Sequence, residues 1–364
     1  MKKNSKQTRK PMTSLTIGID LGDKYSHYHV LDADGEFVES GSVLNTEAAA
    51  RKHFAALPSA VVAIEAGART HWWAQLLASF GHRVIVANAR AFAAGVKGRR
   101  KNDRNDAERL ARYARLDPQL LNPVQLRSAE QQADLSHIRV RDALVRTRTL
   151  LVNVARALAK ENGCRLPASL THTFGERSLS VLPAALAAVL APALASIDDL
   201  TKKIEAAEEH IETLCREKYP ETKYLRSIPG VGSITALTYV LTLASPERFR
   251  HSRDAGAYLG LQPAQQQSGE SDPQLGISKQ GNGYLRRMLV QCAHHMLGPF
   301  GKPSRLREWG LALAHRGARN ARKRAITAVA RKLAVLLHRL WHDRALYQPF
   351  YSQPPRSVTT TTAA

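Results

Sequence analysis

The sequence of 364 residues contains little that would form a disulfide-stabilised, zinc-bound or ATP-hydrolysing protein. Its three cysteines, Cys164, Cys215 and Cys292, lie far apart and form no CxxC pair, so we expect neither a disulfide framework nor a zinc ribbon, and a reducing cytoplasm is the default compartment. HExxH and GxxxxGKS/T motifs are both absent from the sequence. The longest apolar run, from Leu182 to Ile197, is broken by two prolines and is shorter than the ~20 residues that cross a bilayer, so no membrane partner is expected.

Acidic residues are scarce. The 31 Asp and Glu stand against 53 Lys and Arg, which gives a net charge of +22. Such an excess predicts a polyanionic partner, most often nucleic acid, and argues against an acidic protein or a neutral metabolite as the main ligand. The C-terminal region is especially basic, and there we predict that Arg322, Lys323 and Arg324 contact nucleic-acid phosphates.

Changes of pattern along the chain predict five segments. A basic arm (1–13) and a Thr-rich tail (349–364) are expected to be disordered. Between them we predict an α/β domain (14–118), a helical coiled-coil region (124–219) and a mainly helical C-terminal domain (220–348). The α/β domain should contain a mixed sheet that opens with three antiparallel strands. Its apolar patterns predict strands over 15–21, 28–32, 37–43, 61–64 and 84–87, and helices over 46–57, 71–80 and 103–115.

Two stretches of the middle region have the pattern of long helices. Residues 126–162 lack proline, and apolar residues from Ile197 to Leu214 recur at alternating spacings of three and four, which is a coiled-coil seam. The seam predicts a coiled-coil arm, either as a hairpin within one chain or as a dimer of two chains. A seam of fewer than three heptads favours neither alternative.

Four acidic residues, which we call the acidic set, are candidate metal ligands: Asp20, Glu65, Asp103 and Asp106. Asp20 and Glu65 each end an apolar run that predicts a strand, and Asp103 and Asp106 share one face of a predicted helix. If the first and fourth strands are neighbours, these carboxylates can converge. Hard oxygen ligands suit Mg²⁺, and a pair of such ions supports phosphoryl transfer. Taken singly, each acid could instead be a turn residue or a helix cap.

A run of cations precedes and enters the helix of Asp103. Its members are Arg99, Arg100, Lys101 and Arg104. We predict that they draw a nucleic acid toward the acidic set, since carboxylates alone repel a polyanion. The alternative is an ordinary solvated helix face.

The segment Ile228–Ala236, with the sequence IPGVGSITA, is typical of the hairpin in a helix-hairpin-helix element. Gly230 and Gly232 would let backbone N–H groups approach a DNA phosphate, because no Cβ stands in the way. A plain turn before a helix explains the segment equally well. Further along, Lys279 and Arg286 flank a glycine-containing turn that could hold a phosphate.

The ordered motifs IGIDLG, AIEAG, KNDRNDAERLA, IPGVGSITA, AYLGLQP, QQSGES and ISKQGNGYLRRML together resemble the DEDD-type transposases of bacterial insertion sequences, the one-ten family with its eleven-eleven branch. The resemblance covers nearly the whole chain. It implies an RNase H-like (RuvC-like) N-terminal domain that binds Mg²⁺ through the acidic set, a coiled-coil segment and a C-terminal transposase domain.

The resemblance also implies a catalytic serine, Ser268 in the QQSGES motif, which forms a covalent bond to DNA. By sequence alone a loop serine would have little claim to be a nucleophile, and Ser271 leaves the identity of the hydroxyl open. Two positions depart from the family pattern without removing a functional group: Gln280 replaces a frequent basic residue and Glu270 a frequent glycine.

The partners that the resemblance implies are donor and target DNA, a structured noncoding guide RNA and further copies of the chain. The oligomer would be a dimer or tetramer, with the active site formed between subunits. The implied function is a site-specific DNA transposase in the bacterial cytoplasm, associated with the nucleoid. Two alternatives remain: a metal-dependent nuclease of the Holliday-junction-resolvase type, which uses water as the nucleophile, and a noncatalytic nucleic-acid-binding protein.

Overall fold

The computed structural model describes residues 15–89, 103–168, 170–267, 271, 273, 275–317 and 319–350, with residues 103 and 104 described by their backbone alone. The chain divides into two compact units, Met1–Ala129 and Glu130–Ala364. The finer division into five segments remains a prediction.

A five-stranded mixed sheet forms the centre of the first unit. Its strands are β1 (Thr16–Asp20), β2 (Tyr25–Leu31), β3 (Phe37–Leu44), β4 (Val61–Glu65) and β5 (Arg83–Ala87). The order is β3-β2-β1-β4-β5, in which β1, β2 and β3 form an antiparallel meander and β4 and β5 run parallel to β1. The mixed sheet and the opening meander are therefore confirmed, and β1 lies beside β4.

The turn between β2 and β3 is fixed by one carboxylate. Asp32 Oδ1 accepts hydrogen bonds from the backbone N–H groups of Asp34 (2.8 Å) and Glu36 (2.9 Å). An Asp at the start of a tight turn binds the backbone ahead of it in this way. The turn lies next to Leu31, which pairs with Thr16, so it stands at the N-terminal end of β1.

The described part of this unit also contains the α-helices α1 (Glu47–Phe54), α2 (Thr70–Ser79) and α3 (Asp103–Leu116), and a 3-10 helix over Pro118–Leu121. Because side chains alternate along a strand, Ile17, Ile19 and Ile64 enter one core, together with Phe54 and Trp73. The opposite face of the sheet is covered by α3.

Close contact between α3 and β1 depends on one glycine. A Cβ on Gly18 would lie 2.0 Å from the carbonyl oxygen of Ala107 and 2.4 Å from the backbone nitrogen of Ala111. Ala107, Ala111 and Ala114 are themselves fully buried, so small residues on both sides let the helix lie directly on the strand.

The second unit is helical. Its helices are α4 (Ala129–Glu161), α5 (Phe174–Leu179), α6 (Ala184–Thr213), α7 (Thr222–Arg226), α8 (Ser233–Leu243), α9 (Arg253–Tyr258), α10 (Gly283–Leu297), α11 (Arg305–Ala314) and α12 (Ala321–Asp343). Helix α8 is almost entirely buried. Within it Tyr239, which is fully buried, donates a hydrogen bond to the carbonyl oxygen of Ala334 in α12 (2.6 Å). A mainly helical C-terminal region is thus confirmed.

Helices α4 and α6 pack against each other in antiparallel directions within one chain. Arg141 pairs with Glu208, and seven residues further along α4, Arg148 donates to Thr201, seven residues back along α6 (3.2 Å). Ala155 packs with Ile197 in the same core. These contacts are antiparallel and lie within one chain, and the coiled-coil arm itself, as a hairpin or as a dimer, stays a prediction.

The sequence interpretation of Pro192 as a break was wrong, because α6 continues through it. An interior proline costs a helix about 3 kcal/mol through its missing N–H and its ring clash. Burial of Leu190, Leu194 and Ile197 on either side offsets that cost. A π-helical turn, Leu214–Lys218, extends α6. The combined helix Ala184–Lys218 is long and apolar enough to cross a membrane by length and composition alone, but core helices of soluble proteins pass the same test.

Candidate active site

Asp20 and Glu65 end neighbouring parallel strands. The register pairs Ile19 with Ile64, so the two acids form the next pair at the C-terminal ends of β1 and β4. Gly18 and Ala63, two residues earlier, face α3, and the alternation of side chains puts both acids on that same face. Adjacent strands lie ~4.8 Å apart, so the two carboxylates start from neighbouring positions, as the sequence predicts.

Helix α3 begins near these two acids and ends at the other end of the sheet. Hydrogen bonds from the backbone of Glu36 and its neighbours lower the pKa of Asp32, and the charge of Arg115 in the last turn of α3 lowers it further. Arg115 is therefore close to the turn at the N-terminal end of β1. It follows that the first turn of α3 points toward the C-terminal end of β1, where Asp20 lies.

Asp106 lies on the buried side of α3. It is 7 % exposed, and its Oδ1 is 3.4 Å from Nη1 of Arg109. Leu110, one turn later, packs with Val61 and Ala63 of β4, so Asp106 faces the β4 side of the helix.

The structure describes the side chains of three members of the acidic set, Asp20, Glu65 and Asp106. Asp103 is the first residue of α3, one turn before Ala107, but its side chain lies outside the described residues. Among the residues described, no three His, Cys, Asp or Glu side chains group closely enough to hold a metal ion. The four-carboxylate Mg²⁺ site therefore remains a prediction.

Two polar residues that sequence reasoning missed hold the loops behind the acids. Asn45 donates to the carbonyl oxygens of Gly22 (2.9 Å) and Asp23 (3.0 Å), which follow Asp20. Thr70 Oγ1 accepts from the N–H of Gly67 (2.6 Å) and donates to the carbonyl oxygen of Glu65 (2.9 Å). The Asn45 bonds join residues more than twenty positions apart, whereas the Thr70 bonds are local, to residues three and five positions earlier in the chain.

Two histidines of β2 also lie on the face beneath α3. His27 is the register partner of Asp20, and His29 that of Gly18. Burial lowers the pKa of His29, while Glu108 of α3 opposes the shift. His27 Nδ1 and His29 Nε2 are buried, with no hydrogen-bond partner in the described part of the chain. Both histidines are therefore neighbours of the candidate site. The strand register shows this, whereas no sequence motif indicates it.

The predicted nucleophile and most of the cations that precede and enter α3 fall outside the described residues. These are Ser268, Arg99, Arg100, Lys101 and the side chain of Arg104. The alternative hydroxyl, Ser271, is exposed. Both predicted serines lie between Gln262 and Ser278, and the two ends of this segment are hydrogen-bonded to each other. Ala264 N–H donates to the Gly276 carbonyl oxygen (2.8 Å) and Ser278 N–H to that of Gln262 (2.9 Å).

The glycines of IPGVGS have local roles in the second unit. Gly230 has φ +92°, and a Cβ on it would lie 2.7 Å from the ring of His295. Gly232 caps α8, and a Cβ there would meet nothing within 4 Å. Ser233 donates a short hydrogen bond to the Glu212 carboxylate, so this helix end already faces an anion of its own chain. Access of a DNA phosphate to this turn remains a prediction.

The other predicted phosphate contacts differ in availability. Arg286 Nη1 donates to the carbonyl oxygens of Leu259 (3.1 Å) and Gln280 (2.8 Å), so part of its guanidinium serves the fold. Lys279 is exposed, with φ +54°. Three exposed cations occupy the first turn of α12, which contains no acidic residue: Arg322, Lys323 and Arg324.

Sequence comparisons match both halves of the chain to transposases. A DEDD transposase profile of the IS110 type matches residues 17–162, and a profile described as the transposase IS116/IS110/IS902 family matches residues 222–307. A probable family 20 transposase of Pseudomonas aeruginosa is 31 % identical over 340 residues, covering 92 % of this chain and 98 % of the relative. The transposase for insertion sequence element IS1328 of Yersinia enterocolitica is 32 % identical, covering 80 % and 87 %. The transposase for IS1111A of Coxiella burnetii is 29 % identical, covering 94 % of each chain.

Proposed function

Because this chain belongs to the IS116/IS110/IS902 family of transposases, and so is an enzyme that acts as a DNA transposase, we propose that it exchanges DNA strands through a serine nucleophile and Mg²⁺ held by the acidic set. The observation that carries the proposal is the placement of Asp20 and Glu65 at adjacent strand ends, on the face where α3 begins. The transposase relatives favour this function over a Holliday-junction-resolvase-like nuclease.

The donor set fits a hard divalent cation. Asp20 and Glu65 supply carboxylate oxygens from neighbouring strands, and α3 brings Asp106 to the β4 side. Mg²⁺ prefers such oxygen ligands and shares its coordination with phosphate. When bound, it would neutralise charge on the phosphoryl group during transfer. Asn45 and Thr70 would keep the loops that follow Asp20 and Glu65 in place.

Ser268 is the proposed nucleophile. Its Oγ would form a bond to phosphorus while the bond from phosphorus to the leaving deoxyribose oxygen breaks, and the serine proton would pass to the leaving oxygen or to solvent. The phosphoserine ester conserves the energy of the broken bond, so the strand can be rejoined to a new partner without ATP.

The position of three cations at the N-terminus of α12, where the helix dipole is itself positive, supports a phosphate partner. The N-terminus of a helix carries partial positive charge and ordinarily favours acids. At the start of α12, Arg322, Lys323 and Arg324 take that place instead. The unfavourable arrangement becomes favourable when a phosphate binds there. We propose that these residues, with Arg99, Arg100, Lys101 and Arg104, contact DNA or a structured guide RNA from the element.

A denaturing gel tests the covalent step. The full chain is incubated with Mg²⁺, element RNA and labelled DNA that carries the element junction. We expect a protein–DNA adduct with the native chain and with Ser271→Ala, the matched control, and none with Ser268→Ala. Asp20→Asn should lose the adduct while it still binds DNA.

Three results would contradict the proposal. An adduct that persists in Ser268→Ala and disappears in Ser271→Ala would move the nucleophile to Ser271. Cleaved DNA without any adduct would indicate a water nucleophile. Recombination that survives removal of RNA by ribonuclease before DNA is added would remove the guide. Mass measurement of the purified chain in solution would test the proposed dimer or tetramer, and cell imaging its proposed nucleoid association.

A further inference from the structure

A groove of about 1010 Å³ lies between α11, α12 and the segment 345–349. We call it the α11–α12 groove. Its lining is largely apolar, with Leu306 and Trp309 from α11 and Leu336 from α12. Trp309 is only half-buried, so an aromatic surface of this second unit is open to a ligand.

The third wall of the groove is fixed by hydrogen bonds. Arg305 N–H donates to the carbonyl oxygen of Pro349 (3.0 Å), and Tyr347 N–H donates to Ser227 Oγ (2.9 Å). These bonds tie the chain after α12 to α11 on one side and to the end of α7 on the other. A preformed wall lowers the conformational cost of binding.

Positive charge lines the groove in excess. The cations are Arg305, Arg331, Lys332 and Arg339, and the acid that faces them is Asp343. Asp343 is paired with Arg339 (3.4 Å) and His342 (2.9 Å). Within the described part of the chain, no carboxylate lies at ion-pair distance from the other three cations. The acid in the groove lining, Asp343, is therefore already paired and leaves Arg305, Arg331 and Lys332 available to an anionic ligand.

One of these cations rests on the tryptophan. Lys332 Nζ is 3.6 Å from the centre of the Trp309 ring. Burial lowers the pKa of Lys332. An ammonium group in this position is partly desolvated and is held by the ring face rather than by an anion. A phosphate would be the stronger partner, and movement of the flexible lysine toward it would uncover the ring.

We propose that the α11–α12 groove binds an unpaired segment of DNA, with a base stacked on Trp309 and the flanking phosphates on Arg305 and Arg331. A cationic groove that contains an aromatic ring is the usual arrangement for single strands, because every base has a stackable face and every nucleotide a phosphate. A base within a duplex has both faces covered by its neighbours and would not reach the ring. DNA is the nucleic acid on which a transposase acts, and strand exchange exposes unpaired bases.

Binding of a labelled single strand tests the proposal. Fluorescence anisotropy of the full chain is measured in EDTA with a 12-nucleotide DNA, with its duplex and with RNA of the same sequence. Trp309→Leu should weaken binding of the single strand by about tenfold or more and leave duplex binding within twofold. Trp309→Phe should keep most of the affinity, since it keeps an aromatic face.

Two charge variants test the proposal even if the Trp309 variants fail to fold. Arg331→Gln, at an exposed position, should weaken single-strand binding and reduce the slope of log K against log salt by about 0.7. Lys302→Gln removes an exposed cation outside the groove and is the matched control. Since neither metal nor Ser268 takes part, failure of the covalent chemistry would not affect the result.

The proposal would be overturned by equal losses for single strand and duplex in Trp309→Leu, or by unchanged single-strand binding in Arg331→Gln. Tighter binding of the RNA than of the DNA, with the same dependence on Trp309, would assign the groove to RNA instead.

Discussion

Replacement of Gly18 by alanine should separate α3 from the sheet and disturb the candidate site without altering any acid. The added Cβ would lie 2.0 Å and 2.4 Å from two backbone atoms of α3, those of Ala107 and Ala111. Carbon contacts need ~3.5 Å, and a helix backbone cannot rotate away as a side chain can, so α3 must move by about 1.5 Å. Overpacking of this kind costs about 1–3 kcal/mol.

Hydrogen exchange measured by mass spectrometry gives the local effect. A cost of 1–3 kcal/mol corresponds to a roughly 5- to 150-fold loss of protection for amides of α3, residues 103–116. Gly67→Ala is the matched control, because a Cβ there would meet only Thr70 Oγ1, at 4.0 Å. Gly18→Ala should also reduce adduct formation. If its α3 amides exchange no faster than those of Gly67→Ala, the direct contact between helix and strand is refuted.

Three other variants probe the loop after Glu65, a buried hydrogen bond and a helix cap. Thr70→Val removes the bond to the Glu65 carbonyl and should slow adduct formation severalfold, whereas Thr70→Ser should not. Burial and the hydrogen bond to Asp134 (2.6 Å) raise the pKa of Tyr219 above its ordinary value of 10.0. Its contribution to stability is therefore complete well below that pH and declines progressively as the pH rises past it. Tyr219→Phe should show a flatter decline in urea midpoint from pH 9 to 11. Asn282→Ala removes the acceptor for two N–H groups of α10 and should cost about 1 kcal/mol in urea unfolding, while Asn282→Asp should cost less; equal losses would refute the capping role.

The α/β architecture could be predicted because its cues are local. Alternating apolar residues mark β2 and β3, an Asp-Gly turn joins them, and short β-branched runs mark β4 and β5. The strand ends at Asp20 and Glu65 follow from the same runs. Their shared face then follows from the pairing of β1 with β4, which the structure shows.

Long-range contacts could not be predicted in this way. The bonds of Asn45 to the loop after β1 join residues more than twenty positions apart, and no periodicity marks them. The passage of α6 through Pro192 depends on burial of its neighbours, which outweighs the local rule. The hydrogen bond from Ser233, at the start of α8, to Glu212 of α6 is a contact between helices, and the IPGVGS segment contains no sign of it.

The β2–β3 turn provides a place to observe the first unit without touching its chemistry. Asp34 is exposed there, and the length of β1, about 13 Å, separates the turn from the strand end that carries Asp20. A fluorophore attached through Asp34→Cys would report on the β1–β2–β3 meander and would leave Asp20, Glu65 and the loops that follow them unchanged. The native cysteines Cys215 and Cys292 are buried, whereas Cys164 is only partly buried and would be replaced by serine to make labelling at position 34 selective. Distances from the sheet to bound DNA then become measurable in the working enzyme.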